Sequence, residues 1–412
     1  MYQGIGGQAN THHTLLCGCM KKNNRVKEWF GRFRVPRAVV IVICTLPVAL
    51  IVLFYILRQF PDVMGWVVEN LSSPIRRFFG LLSSIYPISV MEILIVAAII
   101  WFVYYVIKTI MVTAHRRSKL KILGKRVLPV LVAALYVWSL FSWLWSSGYH
   151  TKGFAEANGF AKEGITTGEL AEVTRLFALK AKETSTLVQR DEEGLYIGDR
   201  REIFRMSAGI YKNITVEFPS LNGRLFTPKT MLFSWLMSRT GYTGVYFALT
   251  GESNINTDAP LFLMPATVAH ELAHQLGVYA EDEANFVGIL ACVTSGVPVY
   301  EYAGYLRGLM YLSDALISAD PDAWYEIRDT LSDEVVLDWQ ANHDYWREQK
   351  KVETGIGFLD SFLTSLTSAL SGAVDSVYDG FLKSQDQELG LLSYGACVDL
   401  LVEYYSAGPI IQ

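Results

Sequence analysis

The sequence has few cysteines and few charged residues. Its 412 residues include five cysteines, and Asp, Glu, Lys and Arg together make up 18%. So few cysteines exclude the disulfide framework of a small secreted protein. Hydrophobic residues make up 51%, which excludes an intrinsically disordered chain. Beyond residue 145 only Cys292 and Cys397 remain, so this part is compatible with one disulfide at most.

Acidic residues are scarce in the first third of the chain. Residues 1–145 hold 17 Lys and Arg against 4 Asp and Glu, whereas the remainder holds 19 against 36. Mean hydropathy is +0.25, more apolar than an ordinary soluble protein. This asymmetry indicates a basic part beside a membrane joined to an acidic, solvated part, and it disfavours nucleic acid as a partner.

Three stretches are apolar over about the 20 residues that a helix needs to cross a bilayer: residues 38–57, 88–107 and 127–145. We predict a transmembrane helix for each. Lys and Arg are frequent before the first stretch and between the second and third, but rare between the first and second. Because positive charge stays in the cytoplasm, residues 1–37 are predicted to be a cytoplasmic tail. Residues 146–412 would then be extracytoplasmic, on a multi-pass protein of the cell membrane.

Two features of the membrane region are predicted to lie at its outer surface. Residues 63–82 mix Trp66 and two Phe with Arg76 and Arg77, which is typical of an amphipathic helix on the interface. Glu92 lies near a helix end, so we interpret it as an interfacial carboxylate rather than a proton relay.

The remainder of the chain is predicted to form a mainly α, α+β domain. Thr166, Thr167 and Glu169 form a capping signal before a helix of about 20 residues. Residues 214–218 and 244–249 are predicted to be short strands. Helices dominate after Pro265, and apolar residues repeat with a helical period over residues 359–381.

One motif in this domain carries chemistry. Pro265 and Gly277 bracket a predicted helix in which His270, Glu271 and His274 occur in the pattern His-Glu-x-x-His. Histidines four residues apart project together, so two imidazoles can bind one Zn²⁺, and Glu271 is placed to hold a zinc-bound water. The alternative is a pair of polar-face histidines on an ordinary helix.

A catalytic zinc site needs a third protein ligand and an open position. Glu281 and Asn285 share one face of the next predicted helix, so Glu281 is predicted to bind the metal and Asn285 to hydrogen-bond beside it. Glu283 remains an alternative third ligand. Acidic residues in a first helical turn can also serve only to complement the helix dipole.

His270-Glu-Leu-Ala-His274 followed by Glu281-x-Glu-Ala-Asn285 resembles the gluzincin metallopeptidases, both the membrane CAAX-prenyl-protease and heat-shock peptidase group and the ImmA/IrrE-type group. The chain resembles more closely an uncharacterised family of bacterial membrane proteins known as a domain of unknown function, through residues 233–238, 244–254, 392–401 and the zinc motif. The first resemblance implies a zincin-like (gluzincin) domain, with Glu281 as zinc ligand and Glu271 as general base.

The expected function is membrane-anchored, zinc-dependent hydrolysis of peptide bonds, with a zinc-activated water and Glu271 as base. A peptide or protein substrate, from the membrane or cell envelope, would lie extended along residues 244–249. The sequence does not single out a residue that stabilises the oxyanion. The chemically able side chains are Tyr246, Tyr279, Tyr302, Tyr305 and His343. The alternative function is a non-catalytic zinc protein that binds a ligand or partner; a transporter is disfavoured because the spans lack a polar pathway.

Overall fold

The computed structural model describes residues 36–114, 119–160, 164–349, 357–384 and 394–408. The described part is mostly helical. The predicted cytoplasmic tail, residues 1–37, lies almost wholly outside these ranges.

The membrane region contains the three predicted spans, here α1, α4 and α5, and helical turns between the first two. Its elements are α1 (Arg37–Leu57), α2 (Pro61–Val67), a π-helix (Val68–Ser72), α3 (Ser73–Ser83), α4 (Val90–Ala114) and α5 (Lys119–Leu144). All three spans are long and apolar enough to cross a membrane. The domain contacts the start of α4, through Glu92, and the end of α5, through Trp145.

The chain beyond α5 is built from short and long helices around one small sheet. In order these are a 3₁₀ turn (Ser146–His150), α6 (Phe154–Ala157), α7 (Thr167–Ser185), α8 (Arg200–Met206), α9 (Ile214–Glu217), β1 (Lys229–Thr230), α10 (Ser234–Thr240), β2 (Gly244–Phe247), β3 (Glu252–Ile255), α11 (Met264–Leu276), α12 (Glu281–Val293), α13 (Pro298–Ala319), α14 (Pro321–Arg328), α15 (Asp333–Gln349), α16 (Gly357–Ser384) and α17 (Tyr394–Ser406), with further 3₁₀ turns at Ser207–Gly209, Pro219–Leu221 and Leu261–Leu263.

The sheet has the strand order β1-β3-β2, with β1 parallel and β2 antiparallel to β3. The strand predicted at residues 244–249 is confirmed as β2. The strand predicted at residues 214–218 is wrong, because Ile214–Glu217 form the single helical turn α9. No strand pairs with its β-branched residues in the described part of the chain, and Ile214 is instead buried in the core.

The core lies between α7, α11, α12, α13 and α17. Its largest fully buried side chains include Phe177, Leu272, Phe286 and Tyr300. The predicted cap of α7 is confirmed, since Thr166 and Glu169 form a reciprocal capping box. Cys292 and Cys397 are both described and buried, and no disulfide bond joins them.

Two carboxylates hold the first turn of α4 against β3 and the loop that follows β1. Glu92 of α4 accepts hydrogen bonds from the backbone N–H groups of Leu232 and Phe233, at 2.8 and 2.9 Å. In return, Glu252 of β3 accepts from the N–H groups of Val90 and Met91, at 3.0 and 2.9 Å. Glu92 is therefore at a helix end, as predicted, but it is buried against the domain rather than placed among lipid headgroups.

Candidate metal centre

Helix α11 carries the His-Glu-x-x-His motif on one face and packs into the core with another. Pro265 lies in its first turn, and Gly277 ends it in the left-handed conformation at φ 97°. Ala269, Leu272 and Ala273 are fully buried. The two histidines are therefore held on a rigid helix.

Glu281 faces both histidines from the start of α12. Its Oε2 is 3.2 Å from Nε2 of His270, and its Oε1 is 3.6 Å from Nε2 of His274. Donor atoms of the three side chains all lie within 4.8 Å of one another, so this group can hold a metal ion. Gly288 allows the close helix approach, because a Cβ there would lie 2.9 Å from the backbone nitrogen of His270.

The geometry distinguishes Glu281 from the alternative ligand Glu283. The Glu283 carboxylate accepts hydrogen bonds from the N–H groups of Phe154 and Ala155, at 2.8 and 3.0 Å. It thereby caps the first turn of α6, with Gly153 in close contact. Asn285 accepts a hydrogen bond from the hydroxyl of Tyr311 at 3.4 Å. This bond does not join it to a metal ligand, so its role beside the ligands stays a prediction.

Glu271 lies under the start of β2. The backbone N–H of Tyr246 lies near its carboxylate and favours the ionised form. A Cβ on Gly244 would lie 2.5 Å from Oε1 of Glu271, so only glycine leaves room for the carboxylate there. Oε2 of Glu271 is buried and has no hydrogen-bond partner among the described residues, which leaves it available to a bound water or substrate.

Strand β2 is an edge strand of the described sheet, and its open side faces Glu271. The carbonyls of Thr243 and Phe247 accept bonds from Asn256 and Gly251 on the β3 side, at 2.9 and 2.8 Å. Alternate residues of an antiparallel strand point the other way, so the N–H of Tyr246 faces away from β3, where it meets Glu271. An extended peptide on this open edge would therefore pass the carboxylate.

Burial and mutual charge determine the electrostatics of the group. Burial raises the pKa of Glu271 to about 7, and the adjacent imidazoles limit the rise. Burial disfavours the charged form of His274, but Glu281 outweighs this effect and raises the pKa of His274 to about 9. Burial also opposes the charge of Glu281, yet His274 and His270 hold the pKa of its carboxyl well below the usual range.

Aromatic side chains from distant segments enclose the group. Tyr378 of α16 donates a hydrogen bond to Oε1 of Glu281. Trp145, the residue after the third span, packs edge-on against His274 with ring centroids 5.4 Å apart. Sequence reasoning missed both. Tyr378 lies in the apolar stripe of the tail helix and Trp145 at a span end, where an aromatic residue is expected for other reasons.

The buried guanidinium of Arg76 reaches the end of α11 from the membrane region. It donates to the hydroxyl of Tyr279 at 2.5 Å, and at 3.4 Å to both the hydroxyl of Tyr246 and the carbonyl of His274. A cation at a helix C-terminus complements the helix dipole. One arginine of the amphipathic segment that was predicted to lie on the interface thus points into the domain.

The structure shows the position of each tyrosine and of the histidine that were chemically able to stabilise an oxyanion. Tyr246 and Tyr279 lie close to His274 but face Arg76. Tyr302 donates to the buried Asp338 at 2.5 Å, Tyr305 packs on Phe177, and His343 is exposed. The contacts of Tyr302, Tyr305 and His343 thus lie outside the candidate metal centre.

The residues fit Zn²⁺. Two imidazoles and one carboxylate are a ligand set that leaves the fourth position of a tetrahedral zinc site open. Nδ1 of His274 lies 2.7 Å from the carbonyl of Val278. Because a carbonyl can only accept, Nδ1 must carry the hydrogen, and Nε2 is the donor atom that points to Glu281.

The site lies inside a stretch that a known family shares. The chain matches, over residues 68–402, the family described as Protein of unknown function (DUF3810). It belongs to that family. The matched range begins at the π-helix and includes Arg76, the second and third spans and all the candidate metal ligands. No curated protein and no solved structure matches the chain.

Proposed function

We propose that this protein is a membrane-anchored, zinc-dependent metallopeptidase whose domain has a gluzincin-like site. The observation that carries the proposal is the convergence of His270, His274 and Glu281, from two helices, beside the buried carboxylate of Glu271. A purely structural metal site has no use for an adjacent, unsatisfied carboxylate, whereas a hydrolase requires one.

His270, His274 and Glu281 would hold Zn²⁺. When bound, zinc supplies Lewis-acid polarisation of a carbonyl and lowers the pKa of a coordinated water. A side chain of the protein would carry out the proton transfers. Glu271 would accept a proton at Oε2 from the water as the water oxygen bonds to the scissile carbonyl carbon, and it would return that proton to the amine as the C–N bond breaks.

Substrate binding is proposed at the open edge of β2. A peptide in extended conformation can pair with the backbone of an edge strand, which holds the chain without regard to most side chains. This edge passes the carboxylate of Glu271. Oε1 of Glu271 lies beside Gly244, and the backbone N–H of Tyr246 lies near the same carboxylate. Trp145, which directly follows the third span, packs on His274, so the site lies close to the end of that span. Polypeptides close to the membrane surface on the extracytoplasmic side are therefore the proposed substrates.

Metal analysis and cleavage assays on the full-length protein test the proposal. We expect about one zinc per chain in the wild type and in Glu271→Gln, and loss of zinc in His270→Ala. His343→Ala is the matched control, because His343 is exposed and away from the group. A peptide library followed by mass spectrometry should show cleavage by the wild type and none by Glu271→Gln.

Each result has a definite meaning. Equal zinc in the wild type and His270→Ala would overturn the metal site. Zinc that depends on His270, without cleavage of any library peptide or membrane protein, would favour the alternative of a non-catalytic zinc protein.

A further inference from the structure

Three large apolar side chains of the domain are exposed together. Leu232, Phe233 and Trp235 are 68%, 41% and 56% exposed. They occupy the loop before α10 and its first turn, while Ser234 and Met237 of the same turns are buried. We call these three residues the apolar wedge. Contiguous exposed apolar groups of this size mark a contact surface.

The wedge lies level with the end of a membrane span. The backbone N–H groups of Leu232 and Phe233 bond directly to Glu92, which is in the first turn of α4. The wedge backbone is thus one side chain away from the point where α4 enters the bilayer. Glu92 is itself buried, so the loop is fixed at this level rather than merely near it.

The membrane region also exposes apolar and aromatic side chains in the segments that precede α4. Exposed side chains of the interfacial segment and of the loop before α4 are Trp66, Phe78, Ile85, Tyr86 and Ile88. Trp and Tyr are typical of the boundary between lipid and water, where one end of the ring is apolar and the other wet. Trp235 is an exposed aromatic residue of the same kind on the domain.

We propose that the apolar wedge inserts into the interfacial layer of the bilayer, so that the domain rests on lipid in addition to being tethered by its spans. Lipid is the fitting occupant because the wedge backbone is bonded to the first turn of a candidate span, the level at which α4 would enter the bilayer. The wedge would do so whether or not the metal centre binds zinc.

Depth-dependent fluorescence quenching tests this contact. The full chain, with its five cysteines replaced by alanine, would carry Leu232→Cys or Trp235→Cys labelled with a polarity-sensitive fluorophore. It would be reconstituted at one chain per phosphatidylcholine nanodisc, with and without nitroxide-labelled lipid. Val216→Cys is the matched control, because Val216 is 77% exposed and apolar. It lies on α9, which is tied through Asn213 to Thr294, beyond the end of α12 opposite the metal centre.

We expect nitroxide lipid to quench the labels at positions 232 and 235 and to leave the label at 216 bright. Equal quenching at all three positions, or none at 232 and 235, would overturn the proposal. So would a blue shift that occurs only with two chains per disc, because the wedge would then contact a second copy. Melting temperatures close to that of the unlabelled protein identify folded variants, and Phe233→Cys replaces any that fails to fold.

Discussion

The hydroxyl of Tyr378 donates a hydrogen bond to Oε1 of Glu281, although 97 positions separate the two residues. This contact ties α16 to the metal centre. Hydrogen bonds to a ligating carboxylate orient it, and their removal typically costs 10- to 100-fold in metal affinity. Tyr378→Phe should therefore weaken zinc binding by about 10-fold, as measured by competition with a chromophoric chelator.

Tyr404→Phe is the control for that measurement. Tyr404 donates to Glu217 at 2.8 Å, so the variant removes the same kind of hydrogen bond away from the metal centre. The visible spectrum of Co²⁺ bound to the protein should change in Tyr378→Phe and remain that of the wild type in Tyr404→Phe. An unchanged zinc affinity and Co²⁺ spectrum in Tyr378→Phe would exclude a role for this contact in positioning Glu281.

Gly244→Ala should disable Glu271 without removing the metal. The new Cβ would lie 2.5 Å from Oε1 of Glu271, so the carboxylate must move. Displacing a catalytic group by about 1 Å can cost about 100-fold in rate. We expect cleavage to fall by about that factor at constant zinc content. Gly209→Ala, where the added Cβ meets no atom within 4 Å, should retain full activity. Normal cleavage by Gly244→Ala would contradict the assigned position of Glu271.

Arg76→Lys should destabilise the protein although it keeps the charge. The guanidinium fork serves Tyr279, Tyr246 and the His274 carbonyl at once, which an ammonium group cannot reproduce. Hydrogen bonds from charged groups contribute about 1.5–3 kcal/mol each, so we expect the free energy of unfolding to fall by about 2 kcal/mol. Thermal unfolding in detergent measures the change. Arg77→Lys, at an exposed neighbour, should leave the melting temperature unchanged. An equal effect of both variants would refute the role of Arg76.

Glu92→Gln should loosen the loop that carries the apolar wedge. A carboxylate accepts both N–H groups of Leu232 and Phe233, whereas an amide offers one oxygen and places a donor against the second N–H. An unsatisfied buried donor costs about 1–3 kcal/mol. Hydrogen exchange of a peptide covering residues 229–236 should therefore accelerate by about 10-fold or more. Exposed Glu69→Gln serves as control. Unchanged exchange would show that the loop is held by other contacts.

Local features were predictable from the sequence, because their partners are close along the chain. The spacing of His270 and His274, the cap at Thr166 and the lengths of the three spans are all set within a few turns of helix. Glu281 was predictable because it opens the next helix. The strand at residues 214–218 failed since β-branched residues favour a strand only where a neighbouring strand exists.

Contacts across the chain were not predictable in the same way. Arg76 reaches the carbonyl of His274 over 198 positions, and Glu92 reaches Leu232 over 140. Each looked ordinary in its own segment, an arginine on an amphipathic helix and an acid at a span end. A single sequence contains no signal for which distant partner such a side chain will meet, because the pairing is decided by the packing of whole elements.

The position of the Arg76 guanidinium at the end of α11 also bears on whether residues 146–412 could be stable without the membrane region. Arg76 precedes the second span, and Trp145 follows the third directly. A cut behind Trp145 would separate residues 146–412 from both side chains. The separated fragment would lose the cation at the C-terminus of α11 and the ring that packs on His274, so we expect it to be less stable than the full chain.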